Sequence, residues 1–170
     1  DHAPQWESTF AGPFDRWPSG DGWEHFYGFM SGDMNNFNPI MWMDQAPMQP
    51  NYDKPGYHVN KDMADTAINW ISMLRASAQK KPFVMFWATG PVHAPHQETR
   101  EGIEKFKGKF DMGYDKAREM IVANQVQMGI VPKGTRLSQR DGEIPAWDTL
   151  NDQEKALYAR QMEAFAGQLA

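Results

Sequence analysis

One stretch limits what this chain can become: FVMFWA, residues 83–88, six apolar residues in a row. A strand with one wet face alternates apolar and polar residues. An unbroken run reads as a strand buried on both faces, as at the centre of a parallel sheet. The residues before it fit that reading. Residues 61–78 predict a helix, with Asn60 as N-cap and Asp62 complementing the positive end of the dipole. Met63, Ala67, Ile71 and Leu74 fall on one apolar stripe. Lys80 and Lys81 suit the negative end, and Pro82 ends the helix. A helix running into a buried strand predicts one unit of a doubly wound α/β fold. Such folds bind ligands outside the carboxyl ends of their strands. The segment in that place is TGPVHAPHQ, residues 89–97, which carries His93 and His96.

The remainder is simpler. Residues 1–58 are rich in Gly, Pro and aromatic residues and read as loops with short strands, one in FYGFMSG and one in NPIMWMD. PMQPNYDKPGYH reads as a proline-rich connection. Residues 113–128 predict a second helix with Tyr114, Ala117, Ile121 and Met128 on its apolar side and Gly129 just past its end. A long irregular loop follows. A third helix starts near Asn151, with Glu154 placed for a capping box and Tyr158, Met162, Phe165 and Leu169 as its stripe. The chain opens in mid-loop and closes inside that helix. The expectation is an interior segment, truncated at both ends, of one larger domain spanning all of residues 1–170.

Composition narrows the function classes. The 170 residues are 41% hydrophobic and include ten Phe and seven Trp, enough aromatic area for a core. The net charge is −5, and the longest basic run is the pair Lys80–Lys81. Nucleic-acid binding needs clustered positive charge, so that class is disfavoured. There is no Cys, hence no disulfide and no thiolate ligand within these residues. No apolar run approaches the ~20 residues of a membrane span. The compartment is not determined by any of this.

Three readings of the histidine pair stay open on the residues alone. The rings can simply hydrogen-bond to backbone in a polar loop. They can hold a metal, but Pro95 keeps the HxxH spacing out of a helix and nothing supplies a third ligand. They can do acid–base work, which fits best. An imidazole titrates near neutrality, and one at the rim of a buried strand can give a proton to a departing oxygen. No GxSxG, GxGxxG or Walker loop is present.

The ordered series GPFDRWPSG, GWEHFYGFMSGD, VHAPH, DMGYDKARE, IPAWDTL and YARQMEAFAG resembles consecutive segments of bacterial type I arylsulfatases, of the alkaline-phosphatase-like superfamily. The resemblance implies part of an α/β sandwich with a mostly parallel central sheet flanked by helices. It implies sulfate-ester hydrolysis through a formylglycine nucleophile and a divalent cation, calcium or magnesium, acting on a small-molecule sulfate ester. It gives His93 the role of proton donor to the leaving oxygen. It gives His2 the place of the histidine in a G-K-x-H motif that contacts nucleophile and sulfate. His96 has no fixed family role and reads as lining the substrate pocket or supporting that lining.

The departures also carry weight. No C/S-x-P-x-R motif occurs, so the nucleophile is absent, as are the N-terminal metal aspartates. Asp33, Asp44, Asp111 and Asp148 match no metal motif and read as turn or cap residues. These 170 residues are therefore expected to be inactive alone. A phosphonate or phosphate monoester hydrolase of the same superfamily, and a non-catalytic binding module, are the alternatives.

Overall fold

A computed structural model of the chain describes residue 3 and residues 5–170. Two compact units divide it, Asp1–Gln97 and Glu98–Ala170.

The first unit holds a three-stranded antiparallel sheet in the order β1-β2-β3: β1, Tyr27–Gly28; β2, Met41–Met43; β3, Ala46–Met48. A two-residue turn at Asp44 and Gln45 joins β2 to β3, setting Met43 against Ala46 and Trp42 against Pro47. Asp44 turns the chain with φ 54°, a left-handed value that Asp tolerates because its short side chain bonds locally. Its Oδ1 accepts from the Phe26 N–H at 2.8 Å, and its own N–H donates to the Phe26 carbonyl at 2.8 Å. Asp44 is thus a turn residue, as expected. Pro47 has no N–H to offer and sits on the edge strand, where none is needed.

Two apolar clusters support this sheet. Trp17, fully buried, stands edge-on to Phe14 at 5.1 Å and to Trp42 at 4.9 Å. Its indole N–H donates to the Glu7 carbonyl at 3.3 Å. Met41, Val59 and Met63 join β2 to the first helix, α1, Val59–Ser77. Met41 and Trp42 are both core.

Helix α1 begins two residues earlier than expected. Its N-cap is His58, whose Nδ1 accepts from the Asn60 N–H at 3.3 Å, and Asn60 lies inside the helix. Asp62 is in the first turn, as expected, but it also serves the core. Its Oδ2 accepts from the hydroxyls of both Tyr27 and Tyr57. Burial first, and then the Asp62 carboxylate, push both phenols well above the ordinary tyrosine range. Above pH ~10 an unfolded chain releases these protons while the folded chain keeps them, so folding stability falls as pH rises. We expect Tyr27→Phe and Tyr57→Phe each to flatten that fall, read as urea midpoints at pH 8 and pH 10.5. Ordinary ionisation of both phenols in the folded chain, followed by absorbance at 295 nm, would count against this account.

The hexapeptide corrects the strand expected from it. Residues 83–88 form no strand, and Phe83, Val84, Phe86 and Trp87 are 43%, 83%, 75% and 47% exposed. A central strand exists only through backbone hydrogen bonds to neighbours on both sides. The strand pairing of this unit is used instead within residues 27–48, between short antiparallel strands. Phe86 meets only the tilted ring of Trp23 at 6.1 Å among the described aromatic pairs, and the Arg75 guanidinium sits over Phe83 at 5.9 Å.

The second unit is helical: α2, Arg100–Glu104; α3, Gly113–Gln127; α4, Asp152–Gln168. The mixed-charge segment of residues 98–104 contains the short helix α2, with Arg100, Glu101 and Glu104 exposed. Thr99 caps it, its Oγ1 accepting from the Gly102 N–H at 3.1 Å. The expected capping box on α4 is present, with Asn151 and Glu154 exchanging bonds of 2.9 Å. Gly129 takes the left-handed place after α3, with φ 73°. Trp147, Leu150 and Ala159 form the core, with Tyr114, Tyr158 and Met162 against it; Phe165 and Leu169 stay exposed.

The loop between α3 and α4 is pinned at several points. Arg118 donates to the Ser138 carbonyl and Arg140 to the Ile144 carbonyl. Asp115 accepts from the Trp147 N–H and pairs with Arg140, which together hold its carboxyl below the usual range. Among the described residues no helix is long and apolar enough to cross a membrane.

Candidate functional site

The loop 90–97 is closed by two backbone turns, His93 N–H to the Gly90 carbonyl at 2.9 Å and Gln97 N–H to the Pro95 carbonyl at 2.8 Å. Its base rests on a buried side chain from elsewhere in the same unit. Asn36, 4% exposed, donates from Nδ2 to the Gln97 carbonyl at 2.9 Å. Its backbone N–H donates to the Gln97 side-chain Oε1 at 2.9 Å. Its own carbonyl accepts from the Val59 N–H at 2.8 Å, which ties it to the start of α1. Asn36 also reaches the other end of the loop. A Cβ built on Gly90 would stand 3.7 Å from Asn36 Oδ1 and 3.6 Å from the Phe29 ring.

His58 completes this knot. Nδ1 of His58 accepts from the Asn60 N–H, so the proton lies on Nε2, which donates to the Gln97 carbonyl at 3.1 Å. That carbonyl therefore receives Asn36 and His58 together, one for each lone pair. The ring of His58 is 6% exposed and meets Phe37 edge-on at 5.4 Å.

His93 is exposed on the loop so held. Its Nδ1 lies 2.8 Å from the Ala94 carbonyl. A carbonyl only accepts, so Nδ1 carries a hydrogen and Nε2 is the position where a proton can come and go. His96 is also exposed. His2 lies outside the described residues. A pocket of about 200 Å³ opens beside the start of α1, walled by Lys54, Tyr57, His58, Lys61, Asp62 and Asp65. Neither His93 nor His96 lines it.

Trp17 and Trp42 are core, while Trp6 is 79% exposed. Phe29 packs between the Met41 cluster and the base of the histidine loop. Arg140 is engaged by Asp115, and Arg16 is exposed. Among the described residues no group of three or more His, Asp or Glu is gathered to hold a metal ion. Among the described residues the cation that the resemblance implies finds no donor set, and no Cys or Ser of the sequence stands in the C/S-x-P-x-R motif.

Sequence reasoning missed Asn36, His58 and Gln97. Their signal is long-range, 61 residues separating Asn36 from Gln97 and 39 separating His58 from Gln97. No local pattern announces such a pair.

Comparison with known proteins places the chain. The sulfatase family model matches residues 8–167. An uncharacterized sulfatase of Schizosaccharomyces pombe is 27% identical over 165 residues, covering 89% of this chain and 30% of the relative. An arylsulfatase of Klebsiella aerogenes is 23% identical over 162 residues, covering 90% of this chain and 34% of the relative. The chain thus spans about a third of the length of the curated relatives it matches. With a match running from residue 8 to residue 167, the chain belongs to the sulfatase family.

Proposed function

We propose that these residues are an internal segment of the catalytic domain of an arylsulfatase-like hydrolase that cleaves small-molecule sulfate esters. In this reading the formylglycine and the calcium or magnesium ion are supplied by residues outside the 170. The domain to which the segment belongs is then an α/β sandwich with a mostly parallel central sheet. His93 donates a proton to the leaving alcohol, His2 contacts nucleophile and sulfate, and His96 lines or supports the substrate pocket.

The observation that supports this best is the state of His93. Its ring is exposed at the end of the apolar run, and its Nδ1 is committed to the Ala94 carbonyl. Nε2 is then the acid, and the ring keeps one orientation through proton loss. A donor group must reach the reacting oxygen before its acidity matters. An exposed residue meets that requirement; a buried one would not.

The test is a paired assay of the whole protein on an aryl sulfate and the matching aryl phosphate. We expect the higher kcat/KM on sulfate, and a C/S-x-P-x-R motif encoded upstream of Asp1. Higher efficiency on phosphate would assign the chain to a phosphate or phosphonate monoester hydrolase. Absence of the motif together with absence of turnover would leave a binding module.

A further inference from the structure

We propose that Asn36 and His58 are positioning residues for His93, acting through Gln97. This rests on the reading of His93 as the acid.

Asn36 is placed against both ends of the loop that carries the imidazole. Its Oδ1 lies beside Gly90, and its Nδ2 and backbone N–H hold Gln97. His58 adds a third bond to Gln97, and Val59 fastens Asn36 from behind. The anchors are nearly dry while the ring they serve is wet: Asn36 and His58 are 4% and 6% exposed, and His93 is exposed. Breaking one of these buried bonds leaves a donor or acceptor unpaired, which holds the knot in place.

His93 itself has little to orient it. Its described hydrogen bond is to Ala94, within the same loop, so that bond fixes the ring relative to the loop and nothing more. The direction of Nε2 relative to the rest of the unit is set where the loop is tied down. That place is the Asn36–Gln97–His58 knot. A shift of ~1 Å in a reacting group can cost ~10²-fold in rate, so a loose base would be felt at the chemical step.

Two variants of the whole protein separate this role from simple stability. Asn36→Ala removes the side-chain half of the clamp, the Nδ2 bond to the Gln97 carbonyl, and leaves the backbone bond. His58→Asn keeps an oxygen able to cap α1 but cannot reach the Gln97 carbonyl. For an ester with a poor leaving group we expect kcat to fall about 10- to 100-fold in each, with KM within about twofold. For an ester with a good leaving group the loss should be small. In a His93→Ala background the same substitutions should add almost nothing, because the group they aim is gone. Equal losses in both backgrounds, or losses that do not depend on the leaving group, would overturn the proposal.

Hydrogen exchange of the amides of residues 90–97 supplies a readout without turnover. Both variants should speed it while the amides of α1 beyond its first turn keep their protection. Unchanged exchange would overturn the proposal even in an active enzyme. If the wild-type protein hydrolyses no sulfate ester, the functional reading fails, and the exchange result alone still decides whether Asn36 holds the loop.

Discussion

In the whole protein, His93→Ala slows hydrolysis of an aryl sulfate with a poor leaving alcohol by about 10²–10⁴-fold, the range of a positioned acid. The loss shrinks as the leaving alcohol becomes more acidic. The reason lies in the bond that breaks. When the S–O bond to the alcohol cleaves, its electron pair stays on the alcohol oxygen. A basic alkoxide needs a proton at that moment, whereas a stabilised phenoxide can leave without one. In the proposed reading Nε2 of His93 delivers that proton, and the ring is left neutral with Nδ1–H still on the Ala94 carbonyl. A series of substituted phenyl sulfates measures the effect as a steeper dependence of kcat/KM on leaving-group acidity. A loss of the same size for every ester would mean that the imidazole binds sulfate instead.

The second large effect is structural. Gly113→Ala will cost the second unit about 2–5 kcal/mol of stability, overpacking and a left-handed backbone adding together. Gly113 opens α3 with φ 81°, and a Cβ there would lie 2.1 Å from the Trp147 ring. Trp147 cannot step aside easily. It is 7% exposed, stands edge-on to Tyr114 at 5.1 Å, and its N–H is held by Asp115 at 2.9 Å. Gly129 is the control. It has a similar φ of 73° with nothing within 4 Å of an added Cβ, so Gly129→Ala carries backbone strain alone, about 1–2 kcal/mol. Urea midpoints read from exchange of α3 and α4 amides give both values. Equal costs at the two glycines would show that Trp147 yields.

Features written in short windows were legible in the sequence. The helices expected at 61–78 and 113–128 and from about Asn151 form at Val59–Ser77, Gly113–Gln127 and Asp152–Gln168. Their signals, a stripe and a cap, act within a turn or two. The cap of α1 was misplaced by two residues because imidazole, which accepts at Nδ1 as an amide oxygen does, is not a usual cap. The hexapeptide failed for a different reason. Apolarity states what a segment needs covered, and pairing depends on which strands are beside it. The site shows the same division. His93 stands out as a candidate by its place after the apolar run, whereas Asn36 and Gln97 meet only through the fold.

The bare hexapeptide also shapes how the polypeptide behaves before it is finished. Six uncharged residues, four of them (Phe83, Val84, Phe86 and Trp87) of high β-propensity and none of them proline, are the sort of stretch that zips one molecule to the next. Lys80, Lys81 and Pro82 stand immediately upstream, two like charges and a ring that cannot donate to a ladder. They act as gatekeepers, opposing intermolecular stacking at the moment when 83–88 is most available.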